Sequence, residues 1–90
     1  MDINTYGDEY YLTSGFYIAV FLYIKGLQLV DIDRSNPQRA QFVFADSPLR
    51  ENLVRQFTFS EKNFPEVMVD ARDFQVAIKT LKDKLYQERA

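Results

Sequence analysis

The sequence predicts a small α+β domain, and three observations carry that expectation. An unbroken apolar run with helix-terminating signals at both ends sits near the start, "GFYIAVFLYIKG" at residues 15–26. Two β-branched and aromatic segments flank a turn-forming stretch, and two stripes of apolar residues at helical spacing follow. The chain has 90 residues, enough for one core and too few for two, since domains take roughly 50 to 250 residues. A single domain over 1–90 is expected, with residues 1–8 as a flexible N-terminal segment.

The elements follow in order. "EYYLT" is short but rich in strand-forming residues, and supplies a first strand. The apolar run from Phe16 to Ile24 is nine residues, well short of the about 20 needed to cross a bilayer. Thr13 or Ser14 is the expected N-cap and Gly26 the left-handed closing residue, giving a helix of residues 14–25. Phe16, Ala19, Val20 and Tyr23 share one face. Ile18 and Leu22 adjoin it, while Tyr17, Phe21 and Ile24 fill much of the rest. A helix apolar on nearly all sides calls for cover on more than one of them. That cover is either a sheet and a second helix of the same chain, or a partner.

"LQLVDID" (27–33) and "RAQFVFAD" (39–46), separated by "RSNPQ", read as an antiparallel hairpin. Phe42 and Phe44 point to one face of it, Gln41 and Val43 to the other. "DSPLRENLVRQFTF" opens a helix, with Asp46 or Ser47 as N-cap and Pro48 at the first helical position, where its missing N–H costs nothing. Leu49, Leu53 and Phe57, with Val54 beside them, form its narrow apolar stripe. A loop with a short extended piece at residues 67–69 leads to the last helix. There Asp70 is the N-cap, Asp73 takes the capping-box position, and Val69 and Phe74 form a hydrophobic staple. Phe74, Ala77, Ile78, Leu81 and Leu85 make its buried stripe, and it runs to about Glu88. The order is (β)αββα(β)α: a hairpin or three-stranded antiparallel sheet packed with three helices.

Composition bounds the chemistry. The chain is 47% hydrophobic and 16% aromatic, too apolar to remain unfolded. Its net charge of −2 offers no general attraction for phosphate or anionic lipid. Five acids face Lys25, Arg34 and Arg39 in the first 45 residues, whereas the remainder carries eight charges of each sign. Neither cysteine nor histidine occurs. Disulfides, the usual zinc sites and histidine-activated nucleophiles are therefore excluded, and a reducing, cytoplasmic setting is the natural expectation. The acidic "MDINTYGDEYY" lacks the basic n-region of a signal peptide. No arranged acid, base or nucleophile points to an enzyme, and no cofactor or metal site is expected. Asp31, Asp33 and Asp46 lack the spacing and central glycine of a calcium loop.

The succession from Thr13 through Lys25-Gly26, the Phe-Val-Phe strand at 42–44, and Val69-Asp70-Ala71-Arg72-x-Phe74 leading to Leu81-Lys82 resembles a small bacterial and phage family known only as a domain of unknown function. The resemblance covers residues 10–86. It rests on caps and core positions, and implies a compact α+β domain without an assigned activity. The family pattern carries a glycine after the aromatic pair near residue 57, where this chain has Ser60-Glu61-Lys62-Asn63, so the turn there should differ.

Two functional classes remain. Tyr6, Tyr10, Tyr11, Tyr17 and Tyr23 gather toward one end, a composition suited to protein contact. A protein-interaction module would use Tyr10, Tyr11, Tyr17 and Phe21, with a homo-oligomer or another protein as its partner and no membrane. The alternative is a nucleic-acid-binding module, in which Phe42 and Phe44 stack bases and Arg39, Arg72, Lys79 and Lys82 meet phosphate. Against it, the same phenylalanines suffice as core, and Asp73 and Asp83 intersperse the basic residues.

Overall fold

The computed structural model describes residues 9–87. The expectations for residues 1–8 and for Tyr6 lie outside them. Strand β1 (Tyr10–Thr13) leads into helix α1 (Phe16–Ile24). Then come strands β2 (Leu29–Asp33) and β3 (Gln41–Ala45), helix α2 (Arg50–Phe59), a 3₁₀ turn at Pro65–Val67 and helix α3 (Ala71–Leu85). The sheet is antiparallel throughout, in the order β1-β3-β2, so the last strand in sequence lies in the centre. Its two inward rows are set by register: Tyr11 lies opposite Phe44 and Thr13 opposite Phe42, with Leu29 and Ile32 completing the rows from β2. A bulge between Leu29 and Asp31 places Val30 as the extra residue.

All three helices lie on that inward face. Ala19, Val20, Phe21 and Leu22 of α1, Leu27, Phe42 and Phe44, and Ala77 and Leu81 of α3 form one buried cluster. Four consecutive buried residues occupy every side of a helix, so α1 is enclosed by the sheet, α2 and α3 together. Its C-terminus closes as the glycine predicts. Gly26 adopts φ +104°, its N–H donates to the Tyr23 carbonyl at 3.1 Å, and the Leu27 N–H donates to the Leu22 carbonyl at 3.1 Å. This is the Schellman arrangement, with its apolar pair Leu22 and Leu27 both in the core.

Several local expectations are corrected. The N-cap of α1 is Gly15, without a side-chain bond to the helix; Thr13 Oγ1 instead accepts from the Gly15 N–H at 3.1 Å, because the helix leaves β1 almost at once. α2 begins at Arg50, two residues later than its signals suggest. Ser47 takes the Leu49 N–H on its hydroxyl and the Arg50 N–H on its carbonyl, making a separate turn around Pro48. The piece at residues 67–69 joins no sheet. The Val67 N–H bonds to the Phe64 carbonyl and the Met68 N–H to that of Pro65, which curls the segment. The turn that lacks glycine is accommodated by Asn63 at φ 70°, a conformation asparagine tolerates better than most residues. α3 opens as predicted, with Asp70 accepting from the Arg72 N–H at 2.7 Å.

One long-range tie is not announced by any motif. Arg34, just past β2, donates through Nη2 to the carbonyls of Lys84 at 2.9 Å and Leu85 at 2.8 Å. A cation thereby satisfies the unpaired carbonyl end of α3.

Candidate interaction surface

The four aromatic residues expected to form a contact surface do not share one. Tyr10 and Tyr11 are neighbours on a strand, so they point to opposite faces of the sheet. Tyr10 lies beside Ala45 on the face away from the helices, and Tyr11 beside Phe44 beneath them. The Arg50 guanidinium lies 4.4 Å from the centre of the Tyr11 ring and is held there by Asp46, whose Oδ1 accepts from Arg50 Nε at 3.1 Å. That bond keeps the Asp46 carboxyl below its ordinary value and raises the Arg50 guanidinium. Phe21 is a correction: it is buried, its ring 5.0 Å from that of Phe57, because α2 covers this side of α1. Tyr17 alone of the four is exposed, at 57%, and stacks on Phe74 of α3 with ring centres 6.3 Å apart.

The stacking pair of the nucleic-acid alternative is also corrected. Phe42 and Phe44 are buried under the helices, since they occupy the inward rows of the central strand. No base could reach them without unfolding the core. Of the basic residues, Arg72 pairs with Asp70 at 3.0 Å and Lys79 with Asp83 at 3.1 Å, while Arg39 Nε donates to Ser14 Oγ at 3.0 Å. Lys82 is exposed on α3. The bond from Arg72 holds Asp70 below its ordinary carboxyl value. Asp33 is lowered by accepting from Ser35, and thus is used in shaping the hairpin loop. Among the described residues, no group of three or more acids is gathered that could hold a metal ion.

A surface that the sequence reading missed lies at the end of α2 and in the segment after it. Phe59 is 77% exposed, Met68 59% and Phe64 38%, with Phe57 on the border of the core. The segment carrying Phe64 and Met68 joins the end of α2, beside Phe21, to the start of α3, beside Tyr17. Tyr17, Phe57, Phe59, Phe64 and Met68 are thus exposed on the helices and the segment between them rather than on the sheet. The signal available in the sequence was "FTFSEKNFPEVM": Phe59, Phe64 and Met68 lie close together around charges and off the spacing of the α2 stripe that ends at Phe57.

Over residues 8–87 the chain matches the family described as a domain of unknown function (DUF5659). The chain belongs to this family. Membership in DUF5659 assigns no activity, and it extends over every element of the fold described above. No curated protein and no solved structure matches the chain. Among the described residues, no helix is long and apolar enough to cross a membrane.

Proposed function

We propose that this DUF5659 domain is a non-enzymatic protein-interaction module whose contact surface is the apolar ground formed by Phe59, Phe64 and Met68, with Tyr17 and Phe57 at its border. The single observation that supports this is the exposure of three large apolar side chains within ten residues of chain, Phe59 to Met68. Scattered exposed hydrophobics are ordinary on any protein, but a local concentration of them costs hydration and favours a protein partner. Phenylalanine and methionine are also suited to adaptable contact. The nucleic-acid alternative has no comparable support, because its aromatic pair is core and two of its cations are already neutralised.

The test is site-specific photo-cross-linking in the source cell, with the photoreactive residue at position 59 or 68 and, as a control, at Asn36 on the exposed hairpin loop. Discrete protein adducts are expected from 59 and 68 and not from 36. Equal labelling at all three positions, or no adduct from 59 and 68, rejects the reading.

A further inference from the structure

Resting on the interaction reading above, we infer that the partner is a second copy of the chain, docked in antiparallel fashion about a two-fold axis through the outward face of α2, which ends on Phe59 of that surface. The outward face of α2 and its leading turn consists of Pro48, Glu51, Asn52, Arg55, Thr58 and Phe59, all exposed. Along the helix it reads apolar, acidic, basic, apolar. Such an order is its own complement when reversed. A two-fold axis crossing the face near residue 53 sets Glu51 against Arg55 of the second copy, and Arg55 against its Glu51. The same axis carries Phe59 onto Pro48 and Leu49 of the second copy, on the same flank of the helix. A two-fold contact must be self-complementary in this sense, since each residue that meets another is met by it in return.

Two further observations fit. Leu49 is 63% exposed although it heads the apolar stripe of α2, and Phe59 is 77% exposed, so both ends of the face present apolar surface. Glu51 and Arg55 stand one turn apart with opposite charges, yet the ion pairs within the described residues are Arg50–Asp46, Arg72–Asp70 and Lys79–Asp83. Association through the β2 edge is less favoured. Val30 interrupts it with a bulge, and the Ile32 N–H already donates to Asp31 Oδ1 at 2.7 Å. A contact confined to one helix face belongs to the small, weak class of interfaces, so the dimer should form at high micromolar concentration and dissociate on dilution.

Sedimentation of the full chain over micromolar to millimolar concentration decides the matter, with circular dichroism melts to confirm that each variant folds. Glu51→Arg and Arg55→Glu should each weaken dimerisation by about tenfold, because like charges then meet at both symmetric contacts. The double variant, with both charges exchanged, should recover the wild-type constant to within about threefold. Should a charge-reversed single variant fail to fold, Glu51→Gln and Arg55→Gln replace it, with a smaller loss expected from each. A chain that stays monomeric at millimolar concentration overturns the inference, as does a double variant no better than the singles. Cross-links from position 59 to a different protein, with the chain monomeric throughout, would remove the second copy and leave the interaction reading standing.

Discussion

α1 and α3 are both helices that pack on the sheet, and they are secured by opposite means. α1 has nine residues, no side-chain bond at its N-cap, no acid in its first turn and no base in its last. α3 has fifteen, an Asp70 cap, Asp73 in the first turn, Lys82 and Lys84 in the last, and Arg34 on its final carbonyls. Burial is distributed the other way. Four side chains of α1 are buried, against Ala77 and Leu81 of α3. A helix as short as α1 is unstable in isolation, since nucleation must be repaid by tertiary contacts. A helix can therefore do without a side-chain N-cap and terminal charges where three neighbours supply cover, whereas a helix with one buried stripe depends on caps and charges matched to its dipole.

The largest break in this comparison is in α1. Leu22→Ala removes a fully buried side chain beside Leu27 and should cost about 2–5 kcal/mol, measured by urea unfolding. That is a large share of the stability of a domain this size. A loss below 1 kcal/mol would mean that α1 is held by something other than its packing. Next is Arg34→Met, which keeps most of the apolar stem but frees the Lys84 and Leu85 carbonyls. Because the site is only partly covered, about 1 kcal/mol is expected, with amide exchange rising first in the last turn of α3. The smallest effect is at the other end of α3. The folded Asp70 carboxyl is depressed by Arg72, so its contribution is present above the unfolded carboxyl value and is lost as pH falls through the lower folded value. The difference in melting temperature between wild type and Asp70→Asn should accordingly shrink on acidification below about pH 4. A difference that stays constant, or grows, would show that the charge is not what secures this cap.

The same contrast explains what could be read from the sequence. α3 was legible because its signals are local: the Asp70 cap and the stripe from Phe74 to Leu85 lie within a few residues of one another. The closing Gly26 was legible for that reason too. The hairpin emerged from its composition, and the alternation of Phe42 and Val43 assigned their faces correctly. What was lost depended on contacts distant in sequence. β1 was only weakly marked, because four residues become a strand chiefly by pairing with β3, thirty residues onward. The tyrosines of the N-terminal third looked like one surface until the sheet split Tyr10 from Tyr11 and α2 covered Phe21. Conversely, Phe59, Phe64 and Met68 could not be told from core by pattern, since exposure is decided by which helix lies over which side. No spacing rule connects Arg34 with carbonyls fifty residues away.

That arginine has a mechanical consequence. By gripping the far end of α3 from the rim of the hairpin, it closes the chain into a loop whose circumference takes in every later element, from β3 through α2 to the final helix. Two hydrogen bonds thus link the loop at residues 34–40 to the last helical turn, and a disturbance that breaks them is shared by both.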